Sequence, residues 1–203
     1  MSAIRTTDLT KMWSAQAGLR PISLDVEPGE LVVVRGRSGS GKSTLLALLA
    51  GLCGPDAGTL SVDGSVPSAA LPWSQVAFVP QVLALAVELS VRENILDAAP
   101  AAPTDDVHAL MERLDLHEFA DRCIDEISMG QQQRAALARA CVARPKVLLI
   151  DEPTSFQDGH HAAAVIAELQ RLAGDGAALL VATHDEAVST AAHRVLELAD
   201  DVT

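Results

Sequence analysis

One glycine-rich segment constrains this chain more than any other part of its sequence. It reads Gly36-Arg37-Ser38-Gly39-Ser40-Gly41-Lys42-Ser43-Thr44 and fits the pattern G-x-x-x-x-G-K-[ST]. The apolar run 31–34 before it predicts a buried strand, and the residues from Lys42 to about Leu52 predict a helix. Glycines let successive backbone N–H groups turn toward one point, and a helix N-terminus adds its positive dipole. The segment therefore predicts a phosphate-binding loop, although a Gly-Ser turn before an ordinary capped helix would fit the same letters.

Two carboxylates after a second apolar run point to the same chemistry. Residues 147–150 are Val-Leu-Leu-Ile, and Asp151 and Glu152 follow directly. A parallel strand that ends beside a phosphate loop places such carboxylates near a bound phosphate. We expect Asp151 to hold Mg²⁺ through water and Glu152 to polarise an attacking water. Acidic residues also often follow strands simply because they are soluble at the surface. Asp151 and Glu152 alone would therefore be weak support for a nucleotide site.

Charge and composition narrow the partners of such a site. The chain has 203 residues, 15 Lys+Arg against 27 Asp+Glu, and a formal net charge of -12. An acidic chain is a poor general binder of nucleic acid, so we expect no nucleic-acid partner. The longest apolar run is about half of the roughly 20 residues that a transmembrane helix needs, and no signal region precedes it. Three widely spaced cysteines predict reduced thiols in a cytosolic protein.

Strand and helix patterns alternate at both ends of the chain but not in the middle. Strands are predicted at 22–26, 31–34, 59–62, 75–79, 147–150, 177–182 and 194–198, and a helix at about 160–173. In the middle, Ser90 and Glu93 form a capping-box pattern, and Asp105 and Asp106 suit a first helical turn. This layout predicts one compact unit, a parallel α/β core interrupted by a helical insertion.

Seven motifs occur in the order of one known family. Besides the phosphate loop and Asp151-Glu152-Pro153-Thr154-Ser155, they are Gln81 after Phe78-Val79-Pro80, Ile127-Ser128-Met129-Gly130-Gln131 with Gln132-Gln133-Arg134 behind it, Asp158, His184 in Thr183-His184-Asp185, and Trp13. The chain resembles the nucleotide-binding subunit of an ATP-binding-cassette (ABC) transporter over nearly its whole length. It is similar to compact bacterial cassettes of the lipoprotein-release and macrolide-efflux group.

The resemblance implies an architecture as well as a motif set. We expect a single ATP-binding domain over residues 1–203, of the α/β class. Its P-loop NTPase (RecA-like) core with a mainly parallel sheet would take about 1–88 and 144–203. A small antiparallel β subdomain would lie near the N-terminus, and an inserted α-helical subdomain would take about 89–143. The sequence ends soon after its last predicted strand, and we expect no C-terminal regulatory domain.

The resemblance also implies a role for each motif residue, with ATP and Mg²⁺ as cofactors. The expected catalytic residues are Glu152, His184 and Lys42, and the expected metal ligands are Ser43, Gln81 and Asp151. ATP binding is expected from Trp13, Gly36, Arg37, Ser38, Gly39, Ser40, Gly41, Lys42, Ser43, Thr44 and Gln81. Two subunits of the family close head to tail, so Ser128, Met129, Gly130 and Gln131 would complete the partner's site in trans, and Asp158 of the D-loop would face the partner.

Partners follow from the same resemblance. We expect a homodimer or heterodimer of ATP-binding subunits on the inner face of the cytoplasmic membrane, docked on separate permease subunits through 82–95. Residues 82–87 in that segment are unusually apolar for a surface, although a buried loop would look the same. ATP hydrolysis would drive export, efflux or lipoprotein release. A small-solute importer, a soluble non-transport ABC ATPase and an ordinary P-loop kinase are the alternatives.

The sequence departs from the family pattern at two places. Met129 stands for the first glycine of the signature and Ile127 for its leucine, while Gly130 keeps the close backbone approach. Ser155-Phe156-Gln157-Asp158 stands for the usual Ser-Ala-Leu-Asp. We expect the second departure to affect signalling between subunits rather than ATP binding.

Overall fold

The computed structural model describes residues 2–14 and 17–198, and within these ranges it contains two β-sheets and six α-helices. The strands are β1 (Ile4–Met12), β2 (Gly18–Val26), β3 (Leu31–Arg35), β4 (Ala57–Val62), β5 (Val76–Val79), β6 (Val147–Asp151), β7 (Ala178–Ala182) and β8 (Arg194–Glu197). The α-helices are α1 (Lys42–Leu49), α2 (Val91–Ala98), α3 (Thr104–Arg113), α4 (Met129–Val142), α5 (Gly159–Gly174) and α6 (Glu186–Ala191). Short 3₁₀ turns lie at His117–Phe119 and Ile124–Glu126.

The larger sheet is parallel and carries the candidate site. Its order is β5-β6-β7-β3-β8. Alternate residues of each central strand enter different cores: Val33 and Ile150 pack with the helical region, whereas Val34 and Leu149 pack with α1 and the smaller sheet. Burial on both faces explains why these strands are continuous apolar runs in the sequence.

The smaller sheet is antiparallel, with the order β2-β1-β4. Its central strand β1 was not predicted, because register shifts between Thr6 and Leu9 and again before Lys11 interrupt the alternation. Asp8 between them has a positive φ of 46°. The prediction of a small antiparallel sheet near the N-terminus is confirmed, as is the α/β P-loop NTPase fold class.

The region between β5 and β6 is helical. Ser90 caps α2 in a full capping box with Glu93, as the sequence predicted. Asn94 is fully buried and bonds to both the N–H and the carbonyl of Ala86, which fastens the preceding loop. In that loop Val82 and Val87 are 85% and 55% exposed, while Leu83 and Leu85 pack on the core. The apolar segment is therefore divided between partly buried side chains on the core and exposed side chains on the surface.

Several element boundaries differ from the predictions. Helix α1 ends at Leu49 rather than near Leu52, and its C-cap is Ala50. Helix α6 was not predicted, because it has only 6 residues and follows Asp185 without a long apolar stripe. Among the described residues, no helix is both long enough and apolar enough to cross a membrane.

Candidate functional site

Four strands of the parallel sheet deliver the predicted residues to one edge. The phosphate loop follows β3, Gln81 follows β5, Glu152 follows β6 and His184 follows β7. Carboxyl ends of parallel strands share an edge, which is where α/β proteins bind ligands. These residues line a cavity of about 510 Å³, together with Trp13, Ala17, Gly18, Arg37, Ser38, Gly39, Gly41, Lys42, Ser43, Thr44 and Asp151. The structure thus brings together nearly all of the residues predicted for one ATP site.

The phosphate loop is held in shape by its own contacts. Gly41 has φ of 96°, and a Cβ there would lie 2.6 Å from the carbonyl oxygen of Gly18. Only glycine fits that position, because both the left-handed backbone and the close approach exclude a side chain. The Lys42 Nζ donates to the carbonyls of Gly36 (2.7 Å) and Arg37 (3.1 Å). The lysine therefore lies across the mouth of the loop.

The loop fits a bound phosphate. The hydroxyl oxygen of Ser40 is buried and has no hydrogen-bond partner within the part of the chain that the structure describes. A buried polar atom without a partner is costly, and a ligand oxygen would relieve it. The start of α1 adds backbone N–H groups and a positive dipole. Ser40 itself does not line the cavity, so its position matches the predicted role less directly than its neighbours do.

Ser43 and Asp151 meet where a divalent cation would bind beside the phosphates. The Ser43 hydroxyl donates to Asp151 Oδ2 at 2.6 Å. Burial raises the pKa of Asp151, and the hydrogen bond from Ser43 opposes that rise. Hydroxyl and carboxylate oxygens are ligands that Mg²⁺ prefers, and phosphate and water oxygens complete its shell in nucleotide sites. The described residues contain no cluster of three or more His, Cys, Asp or Glu able to hold a metal alone.

Glu152 is oriented by the two residues that directly follow β7. Its φ of 54° turns the chain sharply after β6, a conformation uncommon outside glycine and often found at functional sites. Thr183 donates to Glu152 Oε2 at 2.9 Å, and His184 Nδ1 lies 2.9 Å from Glu152 Oε1. Two of the three predicted catalytic groups, Glu152 and His184, are therefore in direct contact.

Trp13 lies at the rim of the cavity. Its side chain is 60% exposed, and its indole N–H donates to the Thr44 hydroxyl at 3.1 Å. The Lys11 ammonium lies 5.2 Å from the ring centroid. This hydrogen bond fixes the ring next to the phosphate loop, in a position where an aromatic face can meet a nucleotide base.

The signature residues form a second, separate site. Ser128 caps α4 in a capping box with Gln131, and Met129 is 48% exposed. Ser128, Gly130, Gln131 and Asp158 line another cavity, of about 740 Å³. Asp158 also caps α5, and the backbone N–H of His161 lowers the pKa of its carboxyl. None of the described residues lines both cavities, so within one chain the two predicted halves of the ATP site do not meet.

Two contributing residues were missed in the sequence. Thr183 is fully buried and orients Glu152, and its only sequence signal is its place between β7 and His184. Gln133 is 5% exposed and donates to the carbonyl of Glu152 at 2.6 Å. Nothing local in the sequence indicates that contact, because 19 positions separate the two residues.

Sequence comparison decides the family. The profile of the family described as ABC transporter matches residues 19–155, which include the phosphate loop, Gln81, the signature and the β6 carboxylates. The chain belongs to the ABC transporter family of ATP-binding domains. That membership confirms the resemblance found in the motifs.

Curated relatives of this ABC domain serve several kinds of transporter. The lipoprotein-releasing system ATP-binding protein LolD 2 of Rhodospirillum rubrum is 38% identical over 198 residues, covering 90% of this chain and 85% of the relative. The spermidine/putrescine import protein PotA of Chromobacterium violaceum is 37% identical, covering 96% of this chain and 56% of the relative. The macrolide export protein MacB of Rhodopseudomonas palustris is 36% identical, covering 91% and 30%. The chain thus spans about half of PotA and less than a third of MacB.

Solved ABC cassettes share the fold. The cassette MJ0796 in a dimeric, post-hydrolysis state bound to ADP and Pi has a TM-score of 0.82 and 27% identity, covering 96% of this chain and 94% of that one. A second dimeric structure of the same bacterial ABC transporter cassette has a TM-score of 0.85 and 28% identity, with the same coverage.

Proposed function

We propose that this chain binds Mg·ATP and hydrolyses it as the ATP-binding subunit of a transporter, and that two such subunits close head to tail on the nucleotide. The cavity at the edge of the parallel sheet carries the proposal. It places a lysine-bearing phosphate loop, a Ser–Asp pair suited to Mg²⁺ and a buttressed carboxylate around one space. Both the ATP chemistry and the single-domain organisation over 1–203 are part of the proposal.

Within one subunit the residues divide the work. Lys42 exchanges its bonds to the loop carbonyls for phosphate oxygens and neutralises their charge. Ser43, Asp151 and Gln81 hold Mg²⁺, which neutralises phosphate charge when it is bound. Glu152 accepts the proton of the attacking water, and His184 orients that water beside it.

Across the dimer the signature completes the site. The N-terminus of α4 presents backbone N–H groups and a positive dipole. Ser128 accepts from Gln131 N within its own helix cap, which leaves its hydroxyl proton available for a phosphate oxygen. Solved structures of MJ0796, a related cassette, are dimeric, which supports this arrangement.

The transporter role needs a partner that crosses the membrane. We propose that the exposed side of 82–95, including Val82 and Val87, docks on separate permease subunits at the inner face of the cytoplasmic membrane. The similarity to LolD and MacB supports export, efflux or lipoprotein release. The similarity to PotA supports an importer as the second candidate. Transport of labelled substrate by the purified complex in oriented vesicles separates the two directions.

The first experiment is size-exclusion chromatography of Glu152→Gln with and without Mg·ATP. Glutamine keeps the geometry but removes the base, so ATP is retained and a shift from monomer to dimer is expected. Glu88→Gln, an exposed carboxyl that does not line the cavity, is the matched control and should hydrolyse ATP like the parent. Wild-type hydrolysis by Glu152→Gln would show that the base is another residue. A monomer that binds ATP without dimerising would overturn the head-to-tail arrangement for the isolated subunit.

A further inference from the structure

The D-loop and the start of α4 are joined by side-chain amides. Gln157 Nε2 donates to the carbonyl of Gly130 at 3.0 Å and to Gln133 Oε1 at 2.8 Å. Gln157 Oε1 accepts from Arg134 Nη1 at 2.7 Å. We call these four residues, Gly130, Gln133, Arg134 and Gln157, the amide clamp. Both the donor and the acceptor of Gln157 are used within it.

The clamp reaches the catalytic end of β6. Gln133 Nε2 donates to the backbone carbonyl of Glu152 at 2.6 Å. Gln133 and Arg134 are 5% and 3% exposed, so their bonds form away from water, where they are stronger and where breaking them is costly. A continuous set of hydrogen bonds thus runs from the first turn of α4 to the backbone of Glu152.

The backbones on the two sides of the clamp are in close contact. A Cβ on Gly130 would lie 2.6 Å from the carbonyl oxygen of Phe156 and 3.5 Å from Gln157 Oε1. The α4 start and the D-loop therefore pack without a gap, and a small displacement of either one changes the hydrogen bonds of Gln157.

We propose that Gln157 is a positioning residue that fixes the phosphate-facing start of α4 to the backbone of Glu152. The proposal rests on the proposed function, in which that end of α4 closes on the partner's ATP. In a head-to-tail dimer, the start of α4 contacts one ATP and Glu152 of the same subunit acts on the other ATP. The amide clamp holds these two parts of the subunit at a fixed distance and orientation. Leucine, which the family pattern places here, cannot donate to Gly130, so this device belongs to this chain's own residue.

Two variants separate the two halves of the Gln157 amide. Gln157→Leu removes both the donor and the acceptor. Gln157→Glu keeps an acceptor for the buried Arg134 but turns carboxylate oxygens toward the acceptors Gly130 O and Gln133 Oε1. We expect Gln157→Glu to retain the thermal stability of the parent, because its pairing with Arg134 is charge-assisted. Gln170→Leu is the control, since Gln170 is exposed on α5 and makes one long bond of 3.4 Å to Ala191 O.

The first measurement is hydrogen exchange of the nucleotide-free protein. Both Gln157 variants should exchange the hydrogen-bonded amides of 131–134 about tenfold faster than the parent, because the first turn of α4 opens more often without its tether. Gln170→Leu should leave these rates unchanged. Parent-like exchange in both Gln157 variants overturns the proposal, whatever the protein does with ATP.

The second measurement is Mg·ATP-driven dimerisation in the Glu152→Gln background, with binding of a fluorescent ATP analogue to the monomer as the reference. Each Gln157 variant should dimerise about tenfold more weakly, while its monomer binds the analogue within about twofold of the parent. Dimerisation equal to the parent's overturns the positioning role. If the parent itself does not dimerise, the proposed head-to-tail function is overturned. The hydrogen-exchange measurement then remains the test of the amide clamp.

Discussion

The two cavities described here are built from the same kind of part, a helix N-terminus, and yet differ in how complete they are. The phosphate-loop cavity collects residues from four strand ends and the rim residue Trp13 in one chain. The signature cavity has a capped helix start and the D-loop, but the described residues that line it include neither a lysine nor a Ser–Asp pair like Ser43 and Asp151. The phosphate-loop cavity is a nearly complete binding site, whereas the signature cavity presents only part of one.

This difference between the phosphate-loop cavity and the signature cavity indicates which substitutions each of them tolerates. Gly41 of the phosphate loop is held by a left-handed backbone and a close approach within its own subunit. On the signature side, Met129 is 48% exposed, so a side chain in place of glycine does not have to fit into a core. Gly130 next to it is constrained, but by the D-loop behind it. Three of the four predictions below test this contrast, and one tests how the helical region is held to the rest of the fold.

The largest expected effect is on the phosphate-loop side. Lys42→Ala should lower ATP hydrolysis by about 10²–10³-fold, because the charge facing the phosphates is removed. Lys146→Ala, which removes an exposed ammonium paired with Asp63, is the control and should hydrolyse normally. Steady-state phosphate release measures both. A Lys42→Ala protein with more than a tenth of parent activity would show that the loop does not bind phosphate through its lysine.

A smaller effect is expected on the signature side from Gly130→Ala. The new Cβ must displace the carbonyl of Phe156, and overpacking of this kind should weaken dimerisation about tenfold or more. Binding of a fluorescent ATP analogue to the monomer should not change, because the phosphate-loop cavity is intact. Gly159→Ala, at the start of α5 with open space around it, is the matched control. Loss of monomer binding would mean that the two cavities are not independent.

A buried carboxylate also joins helices α3 and α5, and its contribution to stability depends on pH. Glu168 of α5 accepts from Arg113 of α3 and from Arg171. Burial alone would raise the pKa of Glu168, but the hydrogen bonds from Arg171 and Arg113 lower it overall. A lowered pKa means that the stabilisation is complete above the ordinary carboxyl pKa of about 4.3 and is lost as the pH falls below it.

Glu168→Gln should therefore lower the unfolding free energy by about 2 kcal/mol at pH 7, and its deficit should shrink between about pH 5 and pH 3. Urea unfolding at several pH values measures this. Glu118→Gln, an exposed carboxyl, should track the parent throughout. A deficit that stays constant down to the lowest pH would contradict the assigned ion pair.

The smallest effect compares two capping boxes. Ser90→Ala and Ser128→Ala each remove a hydroxyl that accepts a helix N–H, and each should cost about 1 kcal/mol of stability. Only Ser128→Ala should also weaken Mg·ATP-driven dimerisation, because only Ser128 lies in the signature cavity. Equal dimerisation by both variants would show that Ser128 only caps α4 and takes no part in contacting the partner's ATP.

The core elements were predictable because their physics is local. The apolar runs of β3 and β6 are buried on both faces, and the loop between β3 and α1 uses positive φ values that few residues other than glycine adopt. The strand β1 was missed because its bulges break the alternation that a strand pattern relies on. The contacts of Thr183, Gln133 and Gln157 were missed for another reason, since each joins segments that are distant in the chain.

The left-handed backbone at Glu152 has a consequence for how this position can be replaced. Its φ of 54° suits glycine, asparagine and aspartate and opposes β-branched side chains. In the proposed function the residue is constrained twice, once by the shape of the turn and once by the charge it must carry. Asparagine would keep the turn while removing the charge, and valine would disturb both. A library of substitutions at position 152 therefore tests folding and the proposed catalytic role as two separable properties.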